Sequence, residues 1–135
     1  MRIAYGTDDP TDSTAALRVH LQEAGHEVVT VADGIDWPDA GRAVAEAVVA
    51  GRADAGIVWC WTGTGVVMAA TKVDGARAAL CVDPETARGA RRWNDANVLG
   101  LSLRLTTAAL AAEIADAFLG SSVDPGEQRL IDRLS

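Results

Sequence analysis

The side chains best suited to chemistry lie close together, in the run Val58-Trp59-Cys60-Trp61-Thr62-Gly63-Thr64-Gly65. An apolar stretch of strand character stops here, a thiol and two hydroxyls follow, and glycines open a segment of helical period. A helix N-terminus leaves backbone N–H groups unpaired, so it attracts anions and lowers the pKa of a nearby thiol. A Cys60 thiolate could take a proton from carbon if those N–H groups held the resulting enediolate. The plainer reading makes Cys60 a small buried residue and the glycines a tight turn. Thr62-Gly63-Thr64-Gly65 favours the chemical reading, because it supplies the anion hole that the reaction needs. The run is neither a Walker loop, since no Gly-Lys-Ser/Thr follows, nor a dinucleotide fingerprint, since the spacing differs.

Two adjacent carboxylates, Asp8 and Asp9, follow the first apolar run in Gly6-Thr7-Asp8-Asp9-Pro10. They could bind sugar hydroxyls, hold a metal, or cap a turn, as Asp favours turns in any case. The metal reading is the weakest: the two histidines, His20 and His26, flank a helix end away from the strand tips. Further on, Arg88, Arg91 and Arg92 read as a solvated helix face. Trp93 followed by Asn94 suits a platform on which a sugar ring could stack.

What must position these groups is an alternation of short apolar runs and longer amphipathic segments. Strands are predicted at 3–5, 27–31, 55–59, 78–82 and 98–101, and helices at 13–24, 39–50, 64–72, 84–92 and 106–119. Asp39 is a candidate cap for the second helix, and Pro84 suits the first turn of the fourth. Five β-then-α units imply an α/β fold with a parallel sheet covered on both faces. Ligands in such sheets bind beyond the carboxyl ends of the strands, which is where Asp8 and Cys60 fall. Residues 1–135 read as one domain with a tail helix at about 124–135.

The chain has 135 residues, enough for one real core, and a formal charge of −7. That sign argues against nucleic acid or an anionic membrane as partner. Its apolar content is rich in Ala and Val and poor in aromatics, which suits helices packed closely on a sheet. Cys60 and Cys81 are expected to be free thiols. The start reads as a strand rather than a signal peptide, and no run is long enough for a membrane span, so a cytoplasmic location is expected.

Taken in order, these residues resemble the ribose-5-phosphate isomerase type B and galactose-6-phosphate isomerase family. The match runs through Gly6-Thr7-Asp8, Gly25-His26-Glu27-Val28-Val29 and Trp37-Pro38-Asp39 to Cys60-x-Thr62-Gly63-x-Gly65. It continues through Ala69-Ala70-x-Lys72, Arg77-Ala78-Ala79-Leu80-Cys81, Thr86-Ala87-Arg88, Asn94-Asp95-Ala96-Asn97-Val98-Leu99 and Arg104. The resemblance implies a Rossmann-like three-layer α/β/α sandwich with a five-stranded parallel sheet. It also implies a homodimer or dimer-based oligomer and aldose–ketose isomerisation through a cis-enediolate, with neither metal nor organic cofactor.

By position, the resemblance makes Cys60 the base that moves a proton between C1 and C2, and Thr62 a helper in ring opening or proton relay. Backbone N–H groups of Gly63, Thr64 and Gly65 would hold the enediolate. Asp8 would bind sugar hydroxyls, and Asp9 and Trp37 stand at substrate-facing positions. Asn94 of the neighbouring chain would contact substrate, Arg104 would help bind phosphate, and both are expected to reach the neighbour's pocket.

The chain also departs from the family. Asp9 and Trp93 stand where the family has histidines, Trp61 replaces a glycine, and Thr71 replaces an asparagine. For the C-terminal arginine pair, an ungapped match gives Glu127 and Ile131, whereas a two-residue shift gives Arg129 and Arg133. The latter two are four apart and would share a helix face. A carboxylate in place of a histidine beside a phosphate dianion costs about 1 kcal/mol in water and several times more in a drier site. The expected function is therefore isomerisation of a sugar or sugar phosphate other than ribose 5-phosphate. The alternatives are a weak or silent sugar-binding homologue, a subunit of a mixed isomerase assembly, or epimerisation on the same scaffold.

Overall fold

The computed structural model describes residues 1–134 and places every strand in one parallel sheet. In chain order the units are β1 (Arg2–Thr7), α1 (Asp12–Glu23), β2 (Glu27–Asp33), α2 (Trp37–Val49) and β3 (Ala55–Cys60). They continue with α3 (Thr64–Thr71), β4 (Ala78–Leu80), α4 (Pro84–Asn94), β5 (Val98–Ser102) and α5 (Ala108–Leu119). The sheet order is β2-β1-β3-β5-β4. The tail forms a short helix, α6 (Gln128–Ile131), flanked by 3₁₀ turns at Pro125–Glu127 and Asp132–Leu134. The expected tail helix is thus mostly one turn of α-helix, and Ser135 lies outside the described residues.

Alternation along the strands sorts the core into two layers. Ile3, Tyr5, Ile57, Trp59, Leu99 and Leu101 face α1, α4 and α5, whose Leu17, Leu21, Ala87, Ile114 and Phe118 complete that side. Ala4, Val58, Cys60 and Val98 face α2 and α3. The first layer holds the bulk, including Trp59, which is fully buried. Its indole N–H donates to the Tyr5 hydroxyl at 2.9 Å, and that hydroxyl donates to the Thr14 carbonyl at 2.6 Å. Each side-chain polar atom of this Trp59–Tyr5–Thr14 relay has a partner, as burial requires.

The second layer is thin because glycines let α2 and α3 approach the sheet and one another. A Cβ on Gly41 of α2 would lie 2.5 Å from the Val66 carbonyl oxygen and 2.8 Å from the Ala69 Cβ of α3. One on Gly56 of β3 would meet Val44 at 2.5 Å. The Ala- and Val-rich composition is the sequence counterpart of this close approach.

Two local expectations need correction. Asp39 does not cap α2: the helix begins at Trp37, Asp36 holds the cap position, and Asp39 pairs with Arg42 inside the first turn at 3.3 Å. Pro38 presets the backbone of that first turn, so the helix starts before it. The strand expected through residue 82 ends at Leu80, because Asp83 caps α4 by accepting the Thr86 N–H at 2.7 Å. The start of α4 at Pro84 is as expected. Both cysteines are free, and burial pushes the Cys81 thiol up to about 12. No described helix is long and apolar enough to cross a membrane.

Gly41→Ala should cost about 1–3 kcal/mol, the usual penalty for forcing a methyl into a packed interior. Urea unfolding should show it as a lower midpoint with an unchanged slope.

Candidate active site

In this strand order the chain leaves β1 toward one side of the sheet and β3 toward the other. Their carboxyl ends therefore diverge and open a crevice, the usual ligand position in such sheets. The loop after β1 enters α1 on one face, and the loop after β3 enters α3 on the opposite face. Asp8 and the Cys60 loop flank this crevice, and a hydrogen bond from the Asp8 N–H to the Trp59 carbonyl, at 3.3 Å, ties them together.

Asp8 is half-buried, and its Oδ1 is shielded from water without a hydrogen-bond partner. A buried acceptor left open is costly unless a ligand fills it. Burial raises the Asp8 carboxyl above its ordinary value; N–H bonds from its own and the next residue partly offset this, and the neighbouring Asp9 charge adds to it. Asp9 is exposed, and the Thr7 hydroxyl fixes its backbone through bonds to both its carbonyl and its N–H. A turn and an open acceptor thus coexist at this strand end, Asp9 serving the first and Asp8 providing the second.

Cys60 is the last residue of β3 and is 5% exposed, its side chain turned toward the thin α2/α3 layer. Gly63 follows as the N-cap of α3 with φ of 78°, in the left-handed region that glycine tolerates. A side chain there would also strike Leu80 at 2.5 Å. The Thr62 and Thr64 hydroxyls bond one another at 2.6 Å, and the Thr64 N–H reaches the Thr62 hydroxyl at 3.4 Å. Trp37 lies on the same helix N-terminus: a Cβ on Gly65 would sit 2.8 Å from its indole. Trp61 projects outward, 64% exposed.

Arg104 joins this edge through its backbone, its N–H donating to the Trp61 carbonyl at 3.1 Å. No second chain is therefore needed to bring it beside the Cys60 loop. The sheet edge with the strand carboxyl ends thus gathers Asp8, Asp9, Trp37, Cys60, Thr62, Gly63, Thr64, Gly65 and Arg104.

Trp93, Asn94, Arg129 and Arg133 are not among them. Helix α4 runs back from the carboxyl edge, so Trp93 and Asn94 end up at the opposite edge, where the Asn97 carbonyl accepts the Gly56 N–H at the start of β3. Trp93 lies against its own helix over Gly89 and is 56% exposed. Asp95, in the left-handed region at φ 49°, holds Arg77 and Arg91 at 3.2 Å each, which fixes the turn just after Asn94. Arg91 is therefore a structural residue and not part of a solvated face, whereas Arg88 pairs only locally with Glu85. The tail returns to this same edge. Its residues Gln128, Ile131, Asp132 and Leu134 line a cavity of about 660 Å³ together with Lys72, Arg77 and Asn94. Arg129 and Arg133 are both exposed there.

Sequence reasoning missed Ser102, which is 1% exposed and bonds the Trp61 carbonyl. A polar residue closing an otherwise apolar run was the available signal.

Compared with known proteins, the chain matches the family Ribose/Galactose Isomerase over residues 3–134. The chain belongs to that family. With it, the chain is an isomerase. It is 39% identical to ribose-5-phosphate isomerase B of Escherichia coli over 82% of this chain and 76% of that one. It is 36% identical to galactose-6-phosphate isomerase subunit LacB of Clostridium acetobutylicum over 95% and 77%. The solved ribose-5-phosphate isomerase B of Clostridium thermocellum superposes with a TM-score of 0.94 at 35% identity, covering 99% of this chain and 95% of that one. The Rossmann-like α/β/α architecture expected from the resemblance is therefore present.

The raised Asp8 pKa has a consequence for stability. An acid whose folded pKa lies above its unfolded one binds more protons when folded, so its contribution falls as pH rises through the carboxylate range. Asp8→Asn should therefore be more stable than the native protein at pH 7, with the difference vanishing as pH falls toward about 4. Thermal unfolding across that range would show it.

Proposed function

We propose that the protein interconverts an aldose and a ketose, as a sugar or sugar phosphate other than ribose 5-phosphate, through a cis-enediolate. The reading rests on one arrangement: a thiol and a helix N-terminus after β3, and after the adjacent β1 a carboxylate whose Oδ1 is buried without a partner.

The open-chain aldose lies in the crevice with a hydroxyl donating to Asp8. The Cys60 thiolate takes the C2 proton, and the electron pair moves to place negative charge on O1. The N–H groups of Gly63, Thr64 and Gly65 stabilise that charge, the kind of preorganised contact that contributes most to such steps. The paired Thr62 and Thr64 hydroxyls shuttle the proton between O1 and O2, and Cys60 returns its proton to C1. Atoms and charge balance without a redox partner or cofactor. Trp37 forms a wall over Gly65.

The remaining substrate contacts come from a second chain. Asn94 and Trp93, with Arg129 and Arg133 of the tail, lie at the far edge of their own sheet and reach the crevice of a neighbour in a homodimer or dimer-based oligomer. Arg104 supplies positive charge at the carboxyl edge, where it helps bind phosphate.

Asp9 sets the substrate class. Its exposed carboxylate lowers affinity for a phosphate placed as in ribose 5-phosphate, while an indole at Trp93 favours stacking on a sugar ring. A second reading draws on the same substitutions: without either histidine the chain is a sugar-binding homologue, or one subunit of a mixed assembly, as LacB is named a subunit.

Cys60→Ala should lower isomerisation by about a hundredfold or more, the scale of a lost positioned base, with the fold retained. A panel of pentoses, hexoses, tetrulose phosphates and their unphosphorylated forms identifies the substrate, and solvent deuterium should enter its C2 only with the native enzyme. Full activity in the variant contradicts the assignment, and turnover of ribose 5-phosphate above all others contradicts the substrate class.

A further inference from the structure

Ser102 closes β5 and is 1% exposed. In the parallel pairing of β3 with β5 its Cα stands opposite that of Cys60, so the two side chains point to the same face. Neighbouring strands are about 4.8 Å apart, which places the hydroxyl beside the strand position that carries the thiol. Ser102 does not use that hydroxyl to pair with the cysteine. Its Oγ–H donates to the Trp61 carbonyl at 3.0 Å, and the Oγ atom accepts the Leu105 N–H at 3.3 Å.

Three backbone bonds run alongside. The Leu103 N–H donates to the Cys60 carbonyl at 2.9 Å, the Arg104 N–H to the Trp61 carbonyl at 3.1 Å, and the Thr106 N–H to the Ser102 carbonyl at 3.1 Å. The turn after β5 is thus fastened to the loop after β3, with one side chain bonded to both. Trp61 itself is 64% exposed. Without the Ser102 hydroxyl, the peptide joining Trp61 to Thr62 keeps a single bond, and the Leu105 N–H loses its partner.

We propose that Ser102 is a positioning residue for this isomerase, holding the Cys60–Gly63 loop in register with the turn that carries Arg104. The inference rests on the reading of Cys60 as the base. It adds that the base and the anion-binding loop are aligned through a buried hydroxyl on the neighbouring strand. Catalytic geometry is sensitive at this level, since a misplacement of about 1 Å can cost about a hundredfold in rate.

The test compares Ser102→Ala with the native protein by kinetics on the substrate found in the panel and by alkylation of Cys60 with iodoacetamide. Cys81, fully buried, serves as an internal control. The Ala variant should keep its far-ultraviolet circular dichroism, lose about tenfold to a hundredfold in kcat with a much smaller change in KM, and alkylate at Cys60 several times faster. Ser102→Thr, which keeps the hydroxyl, should recover most of the kcat. Native kcat and native alkylation in the Ala variant overturn the proposal. Should that variant fail to fold, Ser102→Thr against Ser102→Val makes the same comparison at one side-chain shape, and equal results for the two overturn it. Were the native protein inactive on every sugar of the panel, the reading of the base would fail, while the alkylation ratio would still decide whether Ser102 holds the loop.

Discussion

Strand polarity governs everything else in this molecule. All strand pairs are parallel, so each strand delivers its last residue to one edge of the sheet and each helix carries the chain back to the other. Asp8, the Cys60 loop and the Arg104 turn are gathered at one edge because each follows a strand. Asn94 closes a helix, so the same rule sends it to the far edge. No side-chain rearrangement in a single chain closes that gap. The span of α4, eleven residues at about 1.5 Å each, is more than a side chain can reach. The proposed function therefore unites the two groups through a second chain.

Within the carboxyl edge, the proposed chemistry depends on how near α3 can come. Gly41 lets α2 lie close to α3, Gly56 and Gly6 let α2 lie on the sheet, and Gly63 turns the chain sharply from β3 into α3. These are packing constraints first. Their effect on function is to set the positive end of a short helix beside a thiol at the end of a buried strand, with Trp37 as its outer cover. The bulky side of the sheet carries the other burden: the Trp59–Tyr5–Thr14 bonds tie β3, β1 and α1 together behind the crevice.

The βα rhythm was legible because apolar runs and helical periods alternate cleanly, and each loop candidate fell just after a run. The Cys60 loop and the Asp8 end were visible for that reason. Boundaries failed where one local signal was read in place of another. The helix expected from residue 39 starts at Trp37, with Pro38 in its first turn, and the apolar Cys81-Val82 extends a predicted strand that the Asp83 cap ends. Nothing in the local sequence marks Asp95 as a paired residue, since its two arginine partners come from β4's approach and from α4. Ser102 offered only the signal of a polar residue closing an apolar run, because its worth lies in a bond to Trp61, some forty positions away. Such long-range partners are set by sheet register, which periodicity does not carry.

The proposed division of the site between the two edges of the sheet makes one measurement decisive. Cys60→Ala and Asn94→Ala variants, each purified inactive, would be mixed under conditions that exchange subunits and then assayed on the native substrate. If each crevice takes Cys60 from one chain and Asn94 from its neighbour, a mixed dimer has one site with both defects and one with neither. Activity should then return to about a quarter of native after random exchange in a two-fold dimer. If the mixture stays as inactive as its parts while subunit exchange is demonstrated, Cys60 and Asn94 do not meet across chains, and the account of a shared site is wrong.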